Sequence, residues 1–88
     1  MEGYFVASIQ IKALDRPGLL RDVGDAMSEN QVNVIGVETS TNISDRVARM
    51  RFDFEISDPT HLNRLMYVIR EIDSVYDVHR VVPGGGEQ

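Results

Sequence analysis

An alternation of apolar and polar residues marks the first element of the chain. From Phe5 to Ala13 every second residue is apolar, and the residues between them are mostly polar. A period of two is typical of a β-strand with one face on a hydrophobic core, which we predict over residues 4–14. The alternation stops at residues 15–18, where proline and glycine indicate a turn.

Two later segments have the 3.6-residue period of an amphipathic helix. The first begins at Leu19 and runs for about three turns. The second begins at Asp58-Pro59, where we predict aspartate as the N-cap and proline at the first helical position. The residues at helical spacing are Leu19, Leu20, Val23, Ala26, Met27 and Asn30 in the first helix, and Leu62, Leu65, Met66, Ile69 and Ile72 in the second.

Three further strands are predicted. Residues 32–42 are rich in β-branched side chains, but their alternation slips around Ile35-Gly36-Val37, which indicates a β-bulge or a sheet edge. Residues 47–57 alternate cleanly between apolar and charged side chains. Residues 75–82 complete the set, ended by a proline.

The resulting order β-α-β-β-α-β predicts the fold class. With right-handed crossovers it gives an α+β, ferredoxin-like sandwich, in which a four-stranded antiparallel sheet carries both helices on one face. The other face of the sheet is predicted to be polar and uncovered. We predict the domain over residues 1–83 and a flexible glycine-rich tail over residues 84–88.

Composition narrows the function. The 88 residues carry a net charge of −5, which argues against a domain that binds nucleic acid mainly by electrostatics. The absence of cysteine excludes disulfides, a thiol nucleophile and a thiolate zinc site. No apolar run is long enough for a membrane span and no signal peptide is visible, so we expect a cytoplasmic protein without a membrane partner. A domain this small is expected to associate with a partner.

The sequence offers no catalytic constellation. His61 and His79 are the only histidines, and the helix that carries His61 is predicted to start at the end of the sheet opposite Asp15. Two histidines without cysteine make a poor metal site. We therefore expect no catalytic residue, no metal and no cofactor.

The loop between the first strand and the first helix is the segment most suited to binding. Asp15 is predicted to cap the helix by accepting a hydrogen bond from the Gly18 amide, and the amides of the first turn suit a carboxylate. An alternative interpretation is that Asp-Arg-Pro-Gly is only a good strand-to-helix turn. Asn33 likewise fits either a helix exit or an amide side chain placed for a small polar ligand.

Taken together, these residues resemble the ACT domain family from about Val6 to Val82. The loop Asp-Arg-Pro-Gly-Leu-Leu carries the resemblance most specifically. The Asn33-Val34 pair, the Arg-Met-Arg-Phe strand and the Val-His-Arg ending resemble, more narrowly, the C-terminal ACT domain of RelA/SpoT-type (p)ppGpp synthetase/hydrolases, the GTP pyrophosphokinases.

The resemblance implies a regulatory module of the stringent response that is not itself an enzyme. It implies a homodimer that binds an amino-acid effector between subunits and works with other domains of a larger parent enzyme. The site residues implied are Asp15, Arg16, Pro17, Gly18 and Leu19, with Asn33 and Val34 closing the site from the neighbouring subunit. Ala13 and Leu14 stand where serine-binding relatives carry polar residues, which favours a small apolar, branched-chain effector.

Two other functions compete with this interpretation. RNA recognition motifs share the same element order and stack bases on aromatic residues of the open sheet face. The predicted open face here has no aromatic residue at its central positions, which argues against RNA recognition by base stacking. RNA or ribosome contact is left as an alternative for the full-length parent only. A protein-interaction domain without a ligand is the other alternative. A small enzyme of this fold lacks a candidate nucleophile and base.

Overall fold

The computed structural model describes residues 3–83. The strand boundaries predicted from the sequence agree with the structure to within one residue. The predicted tail over residues 84–88 lies outside the described residues. The elements are β1 Phe5–Leu14, α1 Leu19–Glu29, β2 Asn33–Asn42, β3 Val47–Ile56, α2 Pro59–Arg70 and β4 Val75–Val81.

The four strands form one antiparallel sheet in the order β2-β3-β1-β4. Alternate residues of β1 and β3 join the apolar stripes of both helices in a single core, so both helices pack on one side of the sheet. We call this side the helix face and the other side the open face. The predicted ferredoxin-like α+β sandwich is confirmed. Within residues 3–83 neither helix is long and apolar enough to cross a membrane.

Most residues of the predicted stripes are buried in the core, whereas Asn30 and Ile72 are only half-buried and Leu20 departs from its stripe in a way that matters for function. Leu19, Val23 and Met27 of α1 are buried, but the Leu20 side chain is 59% exposed. Successive residues of a helix are about 100° apart, so Leu20 points away from the stripe. It lies over β2 and β3, at a place that neither helix covers.

The slip in β2 is a β-bulge, as predicted, and β2 is also an edge strand. Val34 pairs with Phe54 and Gly36 pairs with Asp53, so Ile35 is an extra residue on β2. Beyond the bulge, the helix face of β2 carries Val37, Thr39 and Thr41, whose partners on β3 are Phe52, Met50 and Ala48. These three β2 residues are exposed although they lie on the helix face.

The two helices begin in different ways. The Asp58 carboxylate accepts a 2.9 Å hydrogen bond from the Thr60 amide and Pro59 is the first residue of α2, which confirms the predicted cap. The prediction that Asp15 caps α1 is wrong. The N-cap of α1 is Gly18, with φ of 85°, and no side chain of residues 3–83 caps it. The Asp15 amide instead donates to the Arg46 carbonyl in the turn between β2 and β3.

Candidate functional site

A cavity of about 330 Å³ lies on the helix face, between the β1–α1 loop and the end of the sheet where β2 finishes and β3 begins. It is present because α1 starts at this end of the sheet but does not extend over β2. Its lining residues are Asp15, Arg16, Gly18, Leu19, Leu20, Arg21, Thr39, Thr41, Ala48 and Met50.

The backbone of the β1–α1 loop is held from both sides. The Leu14 amide donates to the Ser74 carbonyl at 2.8 Å, and the Asp15 amide donates to the Arg46 carbonyl at 2.7 Å. Both acceptor residues have positive φ, 80° at Ser74 and 62° at Arg46. Non-glycine residues pay a conformational cost there. In these two turns, residues with a strained backbone therefore direct their carbonyl groups towards the loop.

Arg16 ties the loop to α1 and to the turn before β4. Its Nη2 donates to Asp22 Oδ2 at 2.8 Å and to the Asp73 carbonyl at 3.0 Å, and its Nε donates to Ser74 Oγ at 3.3 Å. Its Nη1 donates to the carbonyl of the next residue at 3.1 Å. The hydrogen bond from Arg16 Nη2 to Asp22 lowers the pKa of the Asp22 carboxyl below its usual value. Arg16 thus lines the cavity, while its guanidinium serves mainly to position the loop.

Gly18 makes the abrupt entry into α1 and places the first turn of the helix beside the cavity. Its φ of 85° lies in the left-handed region, which glycine adopts at no steric cost. The Leu19 amide donates to the Arg16 carbonyl and the Asp22 amide donates to the Gly18 carbonyl. Within residues 3–83, the first-turn amides of Leu20 and Arg21 donate to no backbone carbonyl outside the helix. Together with the positive end of the helix dipole, they suit an anionic group.

The structure brings together only part of the predicted site. Asp15, Arg16, Gly18 and Leu19 line the cavity, whereas Pro17 is exposed beside it. Asn33 and Val34 lie at the far end of β2, since α1 carries the chain along the sheet before β2 begins.

At that far end, Asn33 Nδ2 donates to Glu55 Oε1 at 3.3 Å on β3. Val34 pairs with Phe54 and packs partly buried against the core. Within one copy of the chain these two residues therefore take no part in the cavity.

Sequence reasoning missed more than half of the lining. The missed residues are Leu20, Arg21, Thr39, Thr41, Ala48 and Met50. Thr39 and Thr41 offered a weak signal, because they follow Val37 at the spacing of one strand face yet are polar.

The basis for expecting an apolar effector also changes. Ala13 is fully buried in the core and Leu14 occupies the alternate, open side of β1, so neither lines the cavity. The apolar part of the lining comes instead from Leu20, Ala48 and Met50.

The histidines and aromatic residues lie elsewhere. His61 Nε2 is 3.9 Å from Asp58 Oδ2 at the start of α2, and His79 Nδ1 is 2.8 Å from Asp77 Oδ2 on the open face. Phe52 and Phe54 stack with their ring centroids 6.2 Å apart. Both rings are buried on the helix face, so they cannot stack on bases at the open face.

The fold and the cavity define a class of protein: a small α+β sandwich with a ligand-sized cavity beside its β1–α1 loop. The chain belongs to the ACT domain family, because the family model described as ACT domain matches residues 1–80. This membership confirms the predicted resemblance to the ACT domain family over nearly the whole chain.

The relatives confirm the narrower resemblance to RelA-type (p)ppGpp synthetase/hydrolases, the GTP pyrophosphokinases. The GTP pyrophosphokinase of Streptomyces antibioticus is 45% identical over 80 residues, which are 91% of this chain and 9% of that protein. The bifunctional (p)ppGpp synthase/hydrolase RelA of Mycobacterium tuberculosis is 46% identical over 77 residues, which are 88% of this chain and 10% of that protein. The chain thus spans about a tenth of the length of these relatives.

Solved structures share the fold. The ACT domain from the GTP pyrophosphokinase of Chlorobium tepidum matches with a TM-score of 0.80 and 20% identity, covering 90% of this chain and 100% of that one. The small subunit of acetolactate synthase from Thermotoga maritima matches with a TM-score of 0.77 and 14% identity, covering 92% of this chain and 50% of that one. At these identities the likeness concerns the fold alone.

Proposed function

We propose that the chain is the amino-acid-sensing and dimerisation module of a cytoplasmic (p)ppGpp synthetase/hydrolase. In such a parent enzyme the catalytic sites belong to other domains, and the ACT domain regulates them in the stringent response. The observation that carries the proposal is the cavity beside the β1–α1 loop, because its lining combines the three properties that a free amino acid requires.

The first two properties are opposite charges at the loop end of the cavity. The amides of the first turn of α1 and the Arg21 side chain offer positive charge to an α-carboxylate. Asp15 lines the same cavity, and its carboxylate would offer a partner to an α-ammonium group. Arg16 contributes through the rigidity of the loop, since its guanidinium already serves Asp22 and the turn at Asp73 and Ser74.

The third property is an apolar floor for the effector side chain. Ala48 and Met50 of β3, with Leu20 above them, favour a small apolar side chain, while Thr39 and Thr41 add hydroxyl groups at the rim. A branched-chain amino acid fits this chemistry. The cavity volume of about 330 Å³ is at the lower end of the range for small-molecule sites.

The exposed edge of β2 supports the proposed dimer. An edge strand has unpaired backbone groups and invites pairing with another strand. Val37 is 54% exposed and Ile35 is 53% exposed on this edge, and Leu20 lies beside it. Pairing β2 with β2 of a second copy across a two-fold axis would cover these apolar side chains and join two four-stranded sheets.

This dimer also gives Val34 a place near the cavity. Val34 lies on the same face of β2 as Thr39 and Thr41, so antiparallel pairing of two β2 strands around Val37 would bring Val34 of the partner subunit towards the cavity. Asn33 lies on the open face beside Glu55, so its amide would not reach the site by this pairing. Effector binding would strengthen the dimer by the same factor as dimerisation strengthens effector binding.

Calorimetric titration of the chain with each of the twenty amino acids tests the sensing function. We expect a heat of binding with at least one branched-chain amino acid. We expect Asp15→Asn to weaken the binding of that amino acid at least tenfold. Asp25→Asn is the matched control, because Asp25 is an exposed aspartate of α1 outside the cavity lining. Absence of binding by all twenty would contradict the sensing proposal.

Sedimentation at micromolar concentration tests the dimer separately. We expect a dimer, or a monomer that becomes a dimer when the effector is added. Val37→Lys should abolish this association. Tyr67→Lys is the control and should leave the association unchanged, because Tyr67 is a comparably exposed residue, 65% exposed, that lies on α2 away from the β2 edge. A strict monomer at millimolar concentration, with and without amino acids, would contradict the dimer.

A further inference from the structure

One row of residues crosses the open face of the sheet and does not behave as an ordinary solvated surface. Gly36 of β2 stands opposite Asp53 of β3, and Asp53 stands opposite Ser8 of β1. Ser8 is completely buried although it lies on the open face. Its hydroxyl donates to Asp53 Oδ1.

The Asp53 carboxylate is held in one orientation. Oδ1 also accepts a 3.3 Å hydrogen bond from Arg51 Nε, and the Arg51 side chain is only 13% exposed. Arg51 is itself anchored by a 2.8 Å hydrogen bond from Nη2 to the Val82 carbonyl. The second carboxylate oxygen, Oδ2, then lies directly over Gly36. A Cβ at position 36 would be 2.7 Å from Oδ2, which is closer than Cβ atoms approach other atoms.

This arrangement discriminates between two registers of β2. The start of β2 pairs Val34 with Phe54, and without a bulge the same register would place Ile35 opposite Asp53. An isoleucine side chain would then occupy the space that the carboxylate fills. Bulging Ile35 out brings Gly36, which has no side chain, opposite Asp53 instead.

The register decides what lines the cavity on the helix face. With the bulge, Thr39 pairs with Met50 and Thr41 pairs with Ala48. Without it, Glu38 would pair with Met50, because a shift of one residue moves every side chain to the other face of the sheet. A carboxylate would then stand over the apolar floor of the cavity.

We infer that Ser8, Gly36 and Asp53 form a register lock: positioning residues on the open face that decide which side chains of β2 line the cavity on the helix face. Only the description of the cavity as an effector site rests on the proposed function. The register itself is tested without any ligand.

A double-mutant cycle tests whether Gly36 and Asp53 act together. Gly36→Ala should lower the equilibrium constant for folding by roughly tenfold, the size of an ordinary destabilising substitution. In an Asp53→Ala background the same substitution should raise it, since a glycine inside a strand is unfavourable once the space is free. Gly24→Ala is the matched control, because a Cβ on Gly24 would meet no other part of residues 3–83 within 4 Å, apart from its chain neighbours and the backbone of its own helix.

Cysteine pairs introduced on β2 and β3 report the register directly, because only residues that face each other can form a disulfide. The chain contains no cysteine of its own. Ser40 pairs with Arg49 in the observed register, so Ser40→Cys/Arg49→Cys should form a disulfide. Thr39→Cys/Arg49→Cys should not, because these residues lie on opposite faces. In the Asp53→Ala background, Thr39→Cys/Arg49→Cys should begin to form a disulfide.

The inference is overturned if Gly36→Ala has the same sign in both backgrounds, or if Thr39→Cys/Arg49→Cys stays unbridged when Asp53 is replaced. If Asp53→Ala fails to fold, Ser8→Ala removes the hydroxyl that holds the carboxylate and is assessed in the same two ways. A chain that binds none of the twenty amino acids but gives the expected cysteine pairing would refute the sensing proposal and leave the register lock intact.

Discussion

Substituting Gly18 measures the cost of the left-handed backbone conformation in the β1–α1 loop separately from the cost of lost contacts. A Cβ at position 18 would lie 3.5 Å from Arg16 Nη1 and 3.8 Å from Arg21 Nη2, which are ordinary van der Waals distances. The cost of Gly18→Ala is therefore conformational. Holding a residue with a Cβ in the left-handed region costs about 1–2 kcal/mol. We expect the free energy of unfolding to fall by about that amount.

Gly24→Ala provides the matched comparison within the same helix. Gly24 is exposed in the interior of α1 and has free space around it among residues 3–83. Replacing an interior helical glycine with alanine stabilises a helix by roughly 0.5–1 kcal/mol. The two substitutions, identical in chemistry, should therefore shift stability in opposite directions.

Urea denaturation followed by far-ultraviolet circular dichroism measures both changes. The midpoint should move down for Gly18→Ala and up for Gly24→Ala, with the slope m unchanged because the folded state is the same. Gly18→Asn should fall between wild type and Gly18→Ala, since asparagine tolerates the left-handed conformation. A Gly18→Ala variant as stable as wild type would refute the conformational explanation of this loop.

Two further predictions concern Arg16 and the carboxylates. Arg16→Lys should lower the free energy of unfolding by about 1–2 kcal/mol in urea denaturation, because one ammonium group cannot replace the bonds to Asp73 and Ser74; a loss below about 0.5 kcal/mol would contradict the positioning role. The pKa of Asp22 is lowered in the folded state by Arg16, and that of Asp58 by the Thr60 amide. Both carboxyls thus stabilise the fold above their unfolded pKa of about 3.8, and this stabilisation is lost as the pH falls through the lower folded values. Denaturation at a series of pH values should show a flat region near neutral pH and a decline in acid. The decline should be shallower in Arg16→Met, and an identical decline in that variant would show that Asp22 is not its source.

Local pattern determined the elements of this protein. Alternation placed β1 and β3, a period of 3.6 placed both helices, and the Asp58-Pro59 pair placed the start of α2. Even the bulge at Ile35 was visible as a slip of the alternation. These features depend on residues within a few positions of one another, since they reflect which side of each element meets the core. The fold class and the family resemblance follow from their order.

Only the tertiary structure determined which strands, helices and turns lie side by side. Arg16 meets Asp73 and Ser74, which are 57 and 58 residues further along the chain, because β4 pairs beside β1. Thr39 reaches the cavity because the sheet places β2 beyond β3, outside the cover of α1. Asn33, which the family resemblance assigns to the site of a neighbouring subunit, lies at the end of β2 away from the cavity of its own chain. Periodicity records whether a side chain is buried, but it carries no information about which strand or turn lies alongside.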